Sequence, residues 1–372
     1  MAVLTTFRLA DPQGVHLIEI ASYASYDYIL NCAPGGVGVL ELELPSSFDA
    51  SLLREDGRIG AWRAIGGRPP YLDNGAIYLI RSIDYGPTSI RVRAYHATSL
   101  LDRRIIAYDA GTTYTSKGPD FADDLIKEFV NQQMLSGIVG ADRDGVETYA
   151  DVSAYLTKAA DLGLGASISK AATRRRLLDV CVDLANASAT AGTYLTFEVI
   201  APTESTLELR TYTTQRGQDR RAGTTNPVIL SELRGNLENA HLVVDYSESA
   251  SFIIAGGQGE EDLRLIGTAF DATRAGATPF GRIERFRDAS NVATQAAVDD
   301  EADSQLRAAR PIIYASGDLV ETPGLTRGID FDLGDMVTAE VAGQQYDVRI
   351  DIIRETGSRS GRKTTCGLRS VT

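Results

Sequence analysis

The stretch Ala76-Ile-Tyr-Leu-Ile-Arg-Ser-Ile-Asp-Tyr-Gly-Pro-Thr-Ser-Ile-Arg-Val-Arg-Ala-Tyr95 decides the fold class of this chain. Two runs rich in β-branched and aromatic residues flank Gly86-Pro-Thr88, and the second run alternates apolar and polar residues. A strand, a Gly-Pro turn and a second strand form a β-hairpin. Short apolar runs at Val15–Ile20 and Val37–Leu44 extend the pattern. We therefore predict a small β-barrel or sandwich over residues 1–105.

The next segment, residues 106–235, mixes helical and strand patterns. Pro119–Met134 and Thr173–Ala187 carry apolar residues at helical spacing, so we predict two amphipathic helices. Tyr194–Ile200 and Thr206–Tyr212 alternate like paired strands around a turn. The segment reads as an α+β module. Between its helices, residues 137–170 are rich in Gly, Ala and Asp and predict a long exposed loop.

Strand patterns return after residue 236. His241–Tyr246, Ser251–Ala255, Met336–Val341 and Tyr346–Arg354 are short apolar or alternating runs. We assign residues 236–265 and 311–372 to a second β-barrel. Residues 266–310 are assigned to a helical insertion, whose helix runs over Ser290–Ala309. The predicted fold class is mainly β with α+β insertions.

Composition limits the function. The formal net charge of −13 argues against a nucleic-acid-binding surface, because phosphate contacts require clustered Lys and Arg. The three cysteines, Cys32, Cys181 and Cys366, are too few and too widely spaced for a disulfide framework or a zinc site. They are expected to be buried in a reducing compartment. The sequence contains no run of about 18 apolar residues, so it predicts no transmembrane helix. Its N-terminus lacks a signal-peptide pattern.

A glycine turn follows the strand run Ser251–Ala255. The segment Gly257-Gln-Gly-Glu-Glu-Asp-Leu-Arg264 has no Gly-Lys-Ser/Thr, and Glu260 is followed by two more acids. Backbone amides of a glycine loop attract anions, but carboxylates at the loop exit repel them. A tight structural turn is predicted rather than a phosphate site.

Catalytic and metal chemistry finds little support in the sequence. The three histidines, His16, His96 and His241, lie at strand ends without a Ser or Cys nucleophile motif nearby. Carboxylates are abundant, so composition leaves open an acid/base pair for glycoside cleavage. Asp142–Glu147 contains part of a calcium-loop pattern; a loop turn is preferred, with a structural cation as the alternative. Asp330, Asp332 and Asp335 form a similar cluster. No cofactor is predicted, and the chain is not expected to be an enzyme.

One basic run stands out, Arg174-Arg-Arg176, at the start of the second predicted helix. Positive charge there opposes the helix dipole. Either the arginines face solvent or they form salt bridges with an acidic neighbouring subunit.

Four motifs in order carry a resemblance to a known family. They are Gly235–Ala240, Gly257–Arg264, Phe280–Asp288 and Pro323–Asp335, preceded by Trp62 and Tyr78–Tyr85. In these motifs the chain resembles the tail-hub (baseplate-hub) family of siphophages, and specifically the N-terminal part of tail-associated lysin-like proteins, without the lysin extension. The residues singled out as motif turns are Gly257, Gly259, Glu260, Arg264, Gly281, Arg282, Gly334 and Asp335.

The resemblance implies a structural virion protein at the tail tip, made in the host cytoplasm. Each subunit would contribute two tail-tube-like barrels to a homotrimer that continues the tail tube. Its partners would be itself, the distal tail protein, the tape measure protein and receptor-binding or fibre proteins. DNA would pass through the lumen without specific binding, and no membrane anchor is implied. Two alternatives stay open: a cell-wall hydrolase that uses carboxylates, and a receptor- or carbohydrate-binding tail-tip protein.

Overall fold

A computed structural model describes residues 3–107, 115–135, 151–322, 324–358 and 361–371. These residues form strands β1 Val3–Ala10, β2 His16–Ile20, β3 Ser25–Asn31, β4 Val39–Pro45, β5 Arg58–Ile65, β6 Tyr71–Tyr85, β7 Ser89–His96, β8 Thr115–Phe121, β9 Leu156–Lys158, β10 Ser167–Ala172, β11 Leu195–Ile200, β12 Leu207–Thr213, β13 Ile229–Ser231, β14 Leu237–Asp245, β15 Phe252–Gly256, β16 Ile266–Phe270, β17 Glu284–Asp288, β18 Ile312–Leu319, β19 Met336–Val341, β20 Gln344–Ser358 and β21 Gly361–Ser370. The helices are α1 Ala122–Met134, α2 Leu177–Thr190, α3 Ala272–Gly276 and α4 Gln295–Ala308.

A thirteen-stranded sheet dominates the molecule and confirms the mainly β fold class. Its main path runs β14-β18-β21-β20-β3-β4-β7-β6-β5-β1-β2, with β13 and β19 joined to β20 through β19. The hairpin β6–β7 pairs Tyr85 with Ile90 across the predicted Gly-Pro turn. Strands from both ends of the chain thus belong to one sheet.

Strand β20 joins the two groups of strands. Its first part, Gln344 to Arg349, pairs with β19, and its second part, Ile352 to Ser358, pairs with β3. The register of β20 with its other neighbour, β21, shifts between Ile350 and Ile352. A bulge of this kind bends a strand and increases its twist, so Asp351 marks the position where β20 changes partner. One apolar core continues across this junction.

The sheet path is open in the described part of the chain. Strand β2 pairs only with β1, and β14 pairs only with β18. The prediction of two separate closed barrels therefore differs from the observed topology, in which the N-terminal and C-terminal strands form a single ladder. The sequence could not reveal this, because the β3–β20 pairing joins positions more than 300 residues apart.

The predicted helical insertion contains a small sheet as well as a helix. Strands β16, β15 and β17 form a three-stranded sheet, and α4 covers one of its faces. The run Ser251–Ala255, assigned by sequence to the second barrel, belongs to this small sheet. The helix is shorter than predicted and begins after Thr294, whose hydroxyl accepts a hydrogen bond from the Ala297 amide at 3.4 Å.

The central module packs α1 and α2 against the sheet β11-β12-β9 around its own apolar core. The predicted hairpin is confirmed, with Leu195 opposite Thr213. Helix α1 starts three residues later than predicted, because residues up to Phe121 form β8 and pair with β10. The predicted loop 137–170 is described from residue 151 onward, and this part contains β9 and the start of β10. Residues 136–150 lie outside the described residues, and they include the calcium-loop pattern Asp142–Glu147.

The arginine run precedes α2 instead of starting it. Arg174 donates its backbone amide to Ile106 O at 2.8 Å. Arg175 Nη1 lies 2.6 Å from Asp183 Oδ2, and Arg176 Nη1 lies 2.9 Å from Asp102 Oδ1. Acids of the same chain therefore neutralise Arg175 and Arg176.

Candidate interaction surfaces

The glycine turn after β15 is built around Arg264. Its guanidinium donates to Gly257 O at 3.1 Å and to Gly256 O at 3.0 Å, and it also pairs with Asp288. Gly259 has a φ of +110°, and a Cβ there would lie 2.4 Å from Leu263 O. The position therefore requires glycine. The Arg264 guanidinium is thus held by two carbonyl groups of the turn and neutralised by Asp288.

The second motif turn positions Arg282. Gly281 approaches the backbone so closely that a Cβ would lie 2.5 Å from Ala275 O. Arg282 Nε donates to Glu284 Oε1 at 2.6 Å. Its guanidinium carbon lies 4.5 Å from the ring centroid of Phe252 and 5.7 Å from that of Phe270. Stacking over two rings holds this arginine against the small sheet.

The small sheet has one covered face and one open face. Ile253, Ala255 and Ala269 pack on Val298 and Ala302 of α4. The other face carries apolar, partly exposed side chains together with Thr268, Glu284 and Asp288, which the strand register places between them. We call the apolar set the aromatic face; it consists of Phe252, Ile254, Ile266, Phe270 and Phe286. In the described part of the chain, no element covers it.

The third motif turn lies elsewhere, beside β19. Gly334 has a φ of +86° and donates its amide to Ile350 O at 2.8 Å. Asp335 accepts from the Gln218 amide at 2.6 Å and pairs with Arg220 at 3.1 Å. Burial raises the pKa of the Asp335 carboxyl, although these hydrogen bonds oppose the rise. Gly334 and Asp335 therefore anchor the 216–220 segment and lie apart from the other motif residues.

A buried ion cluster connects four strands and the loop before β19. Arg327 Nη2 lies 2.7 Å from Asp73 Oδ2 and 3.1 Å from Glu355 Oε2. Arg63 Nε lies 3.6 Å from Glu355 Oε2. Tyr28 donates its hydroxyl hydrogen to Asp73 at 2.7 Å. All four charged side chains have no exposed surface, so they fix the interior geometry and are closed to a substrate.

A charged groove of about 860 Å³ runs over β3, β4, β6 and β7 and the end of the β20–β21 hairpin, where Arg362 and Lys363 line it. Carboxylates and guanidinium groups alternate across its strands, with Glu41 opposite Arg93 and Glu43 opposite Arg91. The corresponding Nε···Oε1 distances are 3.5 and 3.8 Å. Opposite charges placed directly across a strand pair stabilise a sheet and neutralise each other.

Both ends of the sheet path carry exposed apolar side chains. Leu17 and Ile18 on β2 are each 38% exposed, and Val243 on β14 is 43% exposed. Unpaired strand edges of this kind are templates for pairing with another chain.

The described residues offer little for metal binding or membrane insertion. No group of three or more His, Cys, Asp or Glu side chains there could hold a metal ion. Among the helices described, none has the length and apolar character to cross a bilayer. The cysteines are free and buried, which confirms the prediction for their burial. Burial lowers the pKa of His96 to about 4, and its Nδ1 lies 3.1 Å from the Thr98 hydroxyl.

The sequence predictions named the motif turns and did not include the exposed surfaces or the ion cluster. The run Arg285-Phe-Arg287 alternates across β17, which was the available signal for an open aromatic face. Nothing in the sequence marks Arg63 and Arg327 as buried, because arginine is usually exposed.

The fold matches that of phage tail proteins. The 43 kDa tail protein of prophage MuSo2 from Shewanella oneidensis aligns with a TM-score of 0.59 and 12% identity, covering 98% of both chains. A tail protein from Neisseria meningitidis MC58 aligns with a TM-score of 0.56 and 13% identity, covering 100% of this chain and 97% of that one. Prophage tail protein gp18 from Listeria monocytogenes EGD-e aligns with a TM-score of 0.54 and 12% identity, covering 97% of this chain and 94% of that one.

No curated protein matches the sequence. The sequence model of the Siphovirus ReqiPepy6 Gp37-like protein family matches residues 78–367. This match covers most of the chain and includes all four motifs that carried the resemblance. The chain therefore belongs to the Siphovirus ReqiPepy6 Gp37-like protein family.

Proposed function

We propose that this chain is a structural tail-tip protein whose three copies form a hub ring that continues the tail tube and lets the genome pass. The observation that carries the proposal is the open sheet. Its two end strands, β2 and β14, lack an outer partner in the described chain and expose Leu17, Ile18 and Val243. Exposed apolar edges favour aggregation unless a partner covers them.

A head-to-tail contact between unlike edges extends until a ring closes. Pairing β2 of one copy with β14 of the next uses both ends of the main sheet path in every copy and leaves neither end free. Membership of a siphovirus protein family and a fold shared with phage tail proteins support a ring at the tail tip. In this arrangement the distal tail protein, the tape measure protein and fibre proteins are the neighbours.

The charged groove suits the wall of the passage. A DNA duplex is held by Lys and Arg that are free to contact phosphates. Here Glu41 and Glu43 lie opposite Arg93 and Arg91, and Arg354 Nε donates to Asp27 Oδ1 at 2.9 Å. The wall is therefore charge-balanced rather than uniformly acidic. With its arginines neutralised, it would let DNA slide without being retained.

Native mass spectrometry tests the ring. We expect a trimer of the purified chain at micromolar concentration. Leu17→Lys and Val243→Lys should each give monomers or short open oligomers, since each places a charge on one of the two edges. Tyr85→Lys is the matched control, because Tyr85 is 60% exposed on β6 and lies on neither end strand. A wild-type monomer, both in solution and in extracts of tails, would refute the proposal.

A further inference from the structure

The aromatic face has the size and character of a protein-binding centre. Phe270 is 50% exposed, Phe286 is 59% exposed and Ile266 is 45% exposed. These three side chains leave roughly 300 Å² of apolar surface in water. Patches of that size often mark interaction sites. A typical interface of about 800 Å² per partner has an apolar core of this kind inside a polar rim.

The charges around the face are unequal. The two arginines that lie over its rings are already neutralised, Arg264 by Asp288 and Arg282 by Glu284. The preceding loop presents Glu260, Glu261 and Asp262, all exposed. Their carboxylates form no ion pair with any other described residue. The Ile266 end of the aromatic face, where this loop joins β15 to β16, is therefore bordered by negative charge that no described residue compensates.

We infer that the aromatic face binds a different protein of the assembled tail, through an apolar segment flanked by lysine or arginine. Such a segment fills the apolar centre and pairs its flanking charges with the acidic loop. A second copy of this chain that presented the same face is a poorer occupant, because it would bring a second acidic loop against Glu260, Glu261 and Asp262. Complementary charge would also speed the encounter and orient the partner. The inference rests on the proposed role in a tail and adds a binding site outside the ring contact.

Site-specific photo-crosslinking in assembled tails tests the site. The full chain carries p-benzoylphenylalanine in place of Phe286 or, separately, Phe270, and tails are purified from the producing cells before irradiation. We expect both positions to crosslink to one other tail protein, at a peptide whose apolar run is flanked by at least two Lys or Arg. The same analogue at Tyr85 on β6 should give little product.

A variant without the carboxylates of the acidic loop tests whether that loop contributes to binding. Combining Glu260→Gln, Glu261→Gln and Asp262→Asn with the Phe286 probe should lower the crosslink yield about fivefold at low salt, in line with the strength of exposed ion pairs. The effect should shrink at high salt, because exposed charges are screened. An unchanged yield would overturn the charge argument.

The outcomes separate this inference from the ring. A probe at Val243 reports contact between copies, so its crosslink to a second copy supports the ring whatever happens at Phe286. Crosslinking of Phe286 and Phe270 to a second copy, to an acidic peptide or to lipid would overturn the inference. So would the absence of any product at both positions while the probe at Val243 still reacts.

Discussion

Arg327 and Asp73 form a two-pronged contact in the interior, with Nη1 3.2 Å from Oδ1 and Nη2 2.7 Å from Oδ2. Neither side chain has exposed surface. The contact joins the loop before β19 to β6, positions 254 residues apart. It therefore holds the C-terminal strands against the N-terminal ones at a point that the backbone ladder does not reach.

Removing one partner of this contact should be strongly destabilising. Asp73→Asn or Arg327→Met leaves the buried cluster, which also contains Arg63 and Glu355, with one uncompensated charge, so we expect a loss of about 3–5 kcal/mol. Urea unfolding monitored by circular dichroism measures it. Arg354→Met is the matched control, because its pair with Asp27 is exposed and should contribute about 1 kcal/mol or less. Equal losses for the two sites would contradict the assigned role.

Acid should weaken the same contact. Burial raises the pKa of the Asp73 and Glu355 carboxyls, but Arg327 and Arg63 outweigh it and hold both below their usual range. A lowered folded-state pKa gives stability that is present above the unfolded value of about 4 and lost as pH falls through the folded value. Unfolding free energies at pH 7, 4 and 3 should fall most steeply below pH 4. Asp73→Asn should start lower and show a shallower slope.

His96 should change the folding stability at higher pH than Asp73 and Glu355 do. Burial lowers its pKa to about 4, so below pH 6.5 the unfolded chain binds a proton that the folded chain excludes. Between pH 7 and pH 5 this residue should cost about 2 kcal/mol of stability. His96→Asn keeps an acceptor for the Thr98 amide and should flatten that interval. A slope between pH 7 and 5 that survives the substitution would rule out His96 as its source.

Gly259 should tolerate no side chain. Alanine there would adopt a strained backbone and collide with Leu263 O, so Gly259→Ala should destabilise the small sheet by about 2–3 kcal/mol. Hydrogen exchange of the β15 and β16 amides detects the loss locally. Gly276→Ala is the control, since its Cβ would meet no atom within 4 Å. Similar exchange in both variants would show that the turn adapts.

The strands and the ordered motifs could be read from the sequence because they depend on local patterns. The alternation in Ser89–His96 and the Gly-Pro turn placed a hairpin that the structure contains. Helix starts were less accurate, because Phe121 and its neighbours find a strand partner that is distant in sequence. Pairings such as Ile352 with Asn31 depend on the whole topology, as does the burial of Arg327. The aromatic face was missed because an exposed phenylalanine reads as a core residue until its strand neighbours are known.

Strand β20 has a mechanical consequence. Seven of its residues form a backbone ladder with β3, so the N-terminal and C-terminal groups of strands are joined by a continuous run of paired residues instead of by a flexible tether. The groups of strands on either side cannot swing independently under load. A conformational change in this protein would therefore have to move peripheral parts, such as the small sheet, around this continuous main sheet.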